Sequence, residues 1–349
     1  MVRLLLLLIA AAVPFIAGCS TFGYYMQSIG GELKLLSARA PIPDLIADPS
    51  TPPALKARLE RVTEIREFAS RELQLPDNPS YRSYVDLKRP FVVWNIFAAG
   101  EFSIEPKKWC FLFVGCVGYR GYFAQNNAEA YASDLRGEGL DVFVGGVPAF
   151  STLGWFSDPV LNTFIGYPDY RLARLIFHEL AHQIAYVKGD SVFNESFAVA
   201  VETVGVQRWI TRNGNEKVRA EFELSRQRRT QFIELALKYR KELGALYATQ
   251  LAPEAMRERK SGVFAALQKD YQRLKAEWGG FAGYDRFFDG INNAHLASIA
   301  IYTELVPQFQ KILAKHNGDL NAFYADVKVL AKLGKGERAA QLGIVAPAR

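Results

Sequence analysis

Residues 172–202 read LARLIFHELAHQIAYVKGDSVFNESFAVAVE, and within them His178, Glu179 and His182 form an H-E-x-x-H pentapeptide. On a helix, residues four apart stack on one face, about 6 Å from each other. Two imidazoles placed that way can close on one zinc ion, and Glu179, one residue round, leans over the remaining coordination position. There it can take a proton from water that the metal has made more acidic. Leu172, Leu175, Ile176, Leu180, Ala181, Ile184 and Ala185 surround the pair with apolar side chains, as a buried helix requires.

The chain has four histidines, and two of them fall in this pentapeptide. With histidine so rare, a chance match is expected on the order of a few times per thousand such chains. The bland alternative makes them helix-face histidines, one paired with Glu179. A catalytic zinc takes three protein ligands and keeps one position for water. The pattern lacks the third histidine of the H-x-x-G-x-x-H continuation. Glu195 is the best candidate for the third ligand: residues 187–191 read as a turn, with Asp190 or Ser191 capping a second helix that packs back along the first. Glu202 lies two turns further on the same face, either accepting from a ligand imidazole N–H or standing as a solvated or capping carboxylate.

The HELAHQ and NESFA segments resemble the HELAHQ and NEGFA signature of gluzincin aminopeptidases, with a shorter spacer and Ser196 in place of glycine. The whole chain is more similar to a smaller family of bacterial lipoproteins described as predicted aminopeptidases. The likeness rests on GYYMQSIGGEL, CFLFVGCVGYRGYF, AFSTLGWFSDP and NNAHLASI as well as the zinc motif. It implies an α+β, zincin-like metallopeptidase core, one Zn2+ per chain and a peptide substrate opened from its N-terminus.

Ahead of all this, residues 1–18 carry one positive charge, Arg3, then an apolar run ending Ile16-Ala17-Gly18 before Cys19. This reads as a secretory signal, and the cysteine directly after Ala-Gly resembles a bacterial lipoprotein cleavage site. Cys19 would then carry the lipid anchor, several acyl chains holding stably where one holds marginally. An ordinary secretory signal or a membrane span are the alternatives, though the run is short for a span. Family resemblance points to the periplasmic face of the outer membrane. The expected organisation is a signal at 1–18, a membrane-proximal segment at 19–50 and the metallopeptidase domain at 51–349, with active-site helices at about 169–212.

Roughly 330 residues remain after the signal, enough for a sizeable core, and 13% aromatic content supports one. Net charge is +6 and the basic residues are dispersed, as in Arg226-Arg228-Arg229, without interleaved aromatics, which argues against a nucleic-acid partner. With Cys19 taken by lipid, Cys110 and Cys116 are the only pair left. In an oxidising periplasm they form a disulfide, or else they stay as two buried thiols.

Hydrophobic periodicity predicts helices over 22–40 and from 51–53 to 73, with a loop over 44–53 between them. Strands follow over 84–118, with buried ones at 92–100 and 111–118, then a helix over 123–137 and a strand over 140–147. Beyond Glu202 the chain reads as nearly all helix, over 214–247, 252–278, 291–315 and 318–333. The expected fold is therefore α+β, with a small sheet and a mainly helical C-terminal part.

By the zincin resemblance, residues 149–156 are the strand bordering the active site, where Ser151, Thr152 and Gly154 would meet an extended peptide. A buried strand turning into Asp158-Pro159 accounts for them equally well. Tyr302 or Asn293 would steady the oxyanion of a tetrahedral intermediate, against a core tyrosine and a helix-capping asparagine; His295 is a weaker candidate for the same role. The function expected is a membrane-anchored zinc aminopeptidase in the periplasm. The alternatives are an endopeptidase of envelope proteins and a lipoprotein scaffold that keeps a structural zinc.

Overall fold

The computed structural model describes residues 30–31, 35–111, 115–149 and 152–343. The predicted helix over 22–40 lies mostly outside them. The first elements are β1 (Ala40–Pro41), α1 (Ile42–Ala47) and α2 (Pro53–Leu73). Residues 44–53 are thus not all loop, because Pro43 sits in the first turn of α1, where its missing N–H costs nothing. Next come β2 (Ser83–Val85), β3 (Val93–Ala99), the hairpin strands β4 (Trp109–Phe111) and β5 (Gly115–Val117), β6 (Arg120–Tyr122), α3 (Gln125–Gly137), β7 (Asp141–Val147), β8 (Val160–Leu161) and α4 (Asn162–Ile165). The motif helices are α5 (Asp169–Ala181) and α6 (Ser191–Asn213). Seven more follow among the described residues: α7 (Glu216–Tyr247), α8 (Pro253–Glu277), α9 (Asp285–Phe288), α10 (Asn293–Thr303), α11 (Val306–Lys315), α12 (Leu320–Lys332) and α13 (Lys335–Gln341).

The fold is α+β, with the helical C-terminal part expected, and the described strands form three small sheets rather than one. One has the order β1-β2-β8, another β6-β3-β7, and β4 pairs with β5 in the third. Every residue of β3 is buried, since α3 covers one face of its sheet and α10 the other, which is why VWNIFAA shows no polar alternation. Where described, the stretch 111–118 is not one buried strand: Phe111 ends β4, Gly115–Val117 form β5 antiparallel to it, and Cys110 is exposed. Cys110 faces Cys116 across the ladder, and the two form a disulfide.

The predicted helix over 291–315 is broken at Glu304-Leu305 into α10 and α11. Pro307 has no N–H for the turn before it, and the Leu305 N–H donates instead to Ser196 Oγ at 3.1 Å.

The main core gathers Leu59, Val62 and Ile65 of α2, Leu172, Ile176 and Phe177 of α5, Phe193, Phe197 and Val201 of α6, with Phe309 and Phe323 from beyond. α6 is its axis, buried without a break from Phe193 to Glu202. Gly205 lets α6 approach α5 closely: a Cβ there would sit 2.8 Å from both Leu73 and Phe177 side-chain carbons. A helix buried all round should be apolar, yet α6 carries Asn194, Glu195, Ser196 and Glu202 inside the core. Buried polar groups of this kind require partners, and those partners define the site.

Candidate metal centre

α5 ends at Ala181, so His178 lies in its last turn and His182 at its C-cap, still in right-handed helical conformation. The four-residue spacing therefore keeps its helical geometry, and the two rings meet edge-on with centroids 4.9 Å apart. The chain then reverses through residues 183–190. Asn194 fixes that reversal: its side chain accepts from Val187 N–H at 2.7 Å and donates to Val187 C=O at 2.9 Å. Asp190 caps α6 by accepting from Phe193 N–H, and its other oxygen pairs with Arg338 at 2.7 Å.

The reversal returns Glu195 to the histidines, as its place after the turn predicts. One Glu195 oxygen lies 3.2 Å from His178 Nε2 and 3.7 Å from His182 Nε2. Ligand atoms of His178, His182 and Glu195 all fall within 4.8 Å of one another, a grouping able to hold a metal ion. A tetrahedral zinc with bonds of about 2.0–2.1 Å separates its ligand atoms by about 3.3 Å, so the two nearer spacings suit that ion. His182 Nδ1 is buried with no hydrogen-bond partner among the described residues. The two nitrogens and one oxygen suit zinc.

Glu202 lies against His178, accepting from its Nδ1 at 2.9 Å. A proton on Nδ1 leaves Nε2 as the ligating atom. Glu202 is itself held by Arg229 of α7 at 2.7 Å and approached by Arg174 of α5 at 3.8 Å. Burial opposes its charge, but Arg229 and His178 outweigh that and hold its carboxyl at about 2. Burial also opposes a charged His178, yet the hydrogen bonds to Glu195 and Glu202 raise its pKa well above the ordinary value. His182, lacking such bonds, is pushed by burial down to about 4 and stays neutral. Burial lifts Glu179 to about 8, with the carboxylates of Glu195, Asp158 and Glu202 adding to the rise against His178. His178 and Glu179 keep partial exposure while His182 and Glu195 are buried, so the cluster opens to solvent on the side of the prospective base.

Tyr302, near the end of α10, is brought to this cluster. Burial and the charges of Glu195 and Glu179, together with Tyr119, raise its pKa well above that of a free tyrosine. Asn293, at the start of the same helix, is not. Its amide donates to the Gly100 and Glu101 carbonyls and its oxygen accepts from Tyr247, so it anchors α10 to the end of β3, about 13 Å of helix from Tyr302. His295 also serves the helix start, closing a capping box with Asn292 and stacking on Phe143 at 4.1 Å.

The predicted strand over 149–156 is a turn where described. Leu153 and Gly154 both have positive φ, 57° and 82°, which no strand tolerates. Thr152 holds the turn by donating its N–H to Asp158 and exchanging bonds with Phe156. Gly154 lies against Gln183, next to His182, so the turn still borders the centre. Ser151 and Cys19 lie outside the described residues.

Arg229, Arg174, Asp158 and Tyr81 were not singled out from sequence. Arg229 looked like one of a dispersed basic run, yet it falls seven residues after Phe222 and three before Phe232, on the buried stripe of α7. A charge inside an apolar stripe was the signal available.

A helix–turn–helix offering two histidines and a carboxylate at metal-ligating distance, with a raised carboxyl beside them, defines a protein built around a prospective metal centre. Residues 23–342 match the family model described as "Putative aminopeptidase", and the chain belongs to that family. No curated protein and no solved structure matches it.

Proposed function

We propose that this chain is a zinc-dependent peptidase that removes residues from the N-termini of peptides. The observation that carries the reading is the convergence of His178, His182 and Glu195 within 4.8 Å beside Glu179. Zinc held by those three would supply a Lewis acid that acidifies water and polarises a peptide carbonyl. Glu179 takes the proton from the attacking water and passes it to the leaving amine. Its raised pKa suits both halves of that task, and a cation beside it would draw the value down toward the working range. Tyr302, kept neutral by its surroundings, can donate to the oxyanion. Thr152 and Gly154, in the turn beside Gln183, line the approach of the peptide.

We place the protein in the bacterial envelope, anchored through lipid on Cys19 and facing the periplasm. The lipobox-like end of residues 1–19 supports this. The Cys110–Cys116 disulfide fits an oxidising compartment, and no described helix is long and apolar enough to cross a membrane.

A chain lacking residues 1–19, incubated with an unbiased peptide library and read by mass spectrometry, tests the activity. Stepwise loss of N-terminal residues, abolished in Glu179→Gln with metal retained, is the expected result. Internal cuts would make the protein an endopeptidase. An active Glu179→Gln would overturn the mechanism.

A further inference from the structure

The loop at residues 76–82 is built with unusual rigidity for a segment lacking regular structure. Arg66, fully buried in α2, donates to three of its carbonyls, those of Pro76, Asn78 and Ser80. Gln183, next to His182, ties the same loop to the metal centre, accepting from Asn78 at 2.6 Å and donating to Ser80 Oγ at 3.3 Å. Held from both sides, the chain puts Tyr81 in the left-handed region, φ 63°, a conformation that costs free energy for a bulky residue. Its N–H donates to the Asp158 carbonyl at 2.6 Å.

The result is a tyrosine 1% exposed whose hydroxyl has no hydrogen-bond partner among the described residues. Around it stand two carboxylates, Glu179 and Asp158, whose charges, after burial, contribute most to raising its pKa. Asp158 is itself only 3% exposed and already accepts the Thr152 N–H. Ionised carboxylates offer only lone pairs, and a carboxylate has room for about four such bonds. A group that meets the Asp158 carboxylate and the hydroxyl together is best matched by several N–H donors with a positive charge. A primary ammonium has three; the N–H of a blocked or internal peptide group is a single neutral donor.

We propose that Asp158 and Tyr81 receive the free α-ammonium of the substrate beside the metal centre, and so restrict cleavage to chain N-termini. The inference rests on the peptidase reading for its substrate, but amine binding can be tested without turnover. Strained loop, orphaned hydroxyl and paired carboxylates then serve one purpose, the selection of a charged chain end.

The test is calorimetric binding of leucine hydroxamate and its N-acetylated form to the zinc-loaded chain lacking residues 1–19. Wild type should bind the free-amine compound about a hundredfold more tightly. Asp158→Asn should cut that preference about tenfold and Tyr81→Phe several-fold, with zinc content unchanged. Should Asp158→Asn fail to fold, Tyr81→Phe decides the matter, since it removes only the hydroxyl. Equal binding of both compounds by wild type, or full preference in Tyr81→Phe and Asp158→Asn, overturns the proposal. Hydrolysis is scored separately: a chain that keeps the preference but cuts no peptide retains the pocket and refutes the peptidase reading.

Discussion

The Nδ1 of His178 donates to Glu202 at 2.9 Å, and the other oxygen of Glu202 accepts from Arg229 at 2.7 Å. One carboxylate thereby links the motif helix to α7 and leaves the Nε2 of His178 facing Glu195. Glu202→Gln and Arg229→Gln should each weaken zinc affinity about 10- to 100-fold, measured by competition with a chromophoric chelator. Unchanged affinity in both would show that the orientation of His178 does not depend on this chain of bonds.

Acid should destabilise the metal-free protein through the same carboxylate. Glu202 has its folded pKa depressed from 4.5 to about 2. Its contribution is therefore fully present above about pH 4.5 and lost as pH falls toward 2, on the order of 3 kcal/mol in total. His182 acts in the same direction from higher pH. Its folded pKa of about 4 lies below the ordinary 6.5, so the unfolded chain takes up the proton first as pH falls. Glu179, raised to about 8, works the other way between pH 8 and 4.5, where the folded chain holds a proton that the unfolded chain does not. Urea unfolding of the metal-free chain should therefore show falling stability between pH 4.5 and 3, and Glu202→Gln should flatten that limb.

Asn194 carries the geometry of the turn between the ligand helices through its two bonds to Val187. Asn194→Ala leaves the Val187 N–H and C=O without that partner and should cost about 2–3 kcal/mol. Thermal unfolding should fall by several degrees, and zinc affinity should fall with it because Glu195 is the next residue.

Gly205 faces side-chain carbons of Leu73 and Phe177 at 2.8 Å from where a Cβ would stand. Gly205→Ala gains helix propensity but overpacks the α5–α6 interface, and the second effect should win by about 1–3 kcal/mol. Denaturant unfolding settles the sign; a stabilised variant would mean that the two helices can separate freely.

The disulfide closes a short loop, with Cys110 and Cys116 six residues apart. Chain entropy assigns such a closure about 2 kcal/mol. The hairpin also leans on the turn between the ligand helices, where a Cβ on Gly115 would lie 2.7 Å from the Gly189 nitrogen. The double variant Cys110→Ser, Cys116→Ser should lower the melting temperature by a few degrees in a thermal scan while zinc still binds.

The centre was legible in sequence wherever its geometry is local. His178 and His182 are fixed by one helical turn, Asp190 is a capping residue, and Glu195 and Glu202 share a helix face at heptad spacing. What contacts the centre from afar left a fainter trace. Arg229 was hidden in a basic run that looked solvated, and Tyr81 lies in a loop nearly a hundred residues before Glu179. Asn293 takes a structural place that sequence does not reveal: its neighbour Asn292 caps α10, leaving the Asn293 amide to bind the end of β3. The turn at Leu153 and Gly154 was faint for another reason: glycine suits a positive φ, but Leu153 beside it has one too, and a leucine gives no sign of that.

Metal content tests the central claim most directly. Native mass spectrometry of the chain lacking residues 1–19, after dialysis against limiting zinc, should show one zinc per chain. His178→Ala, His182→Ala and Glu195→Ala should each fold yet lose it, whereas Glu179→Gln should keep it. A wild-type chain that takes up no zinc, or ligand variants that bind it as well as wild type, would contradict the account.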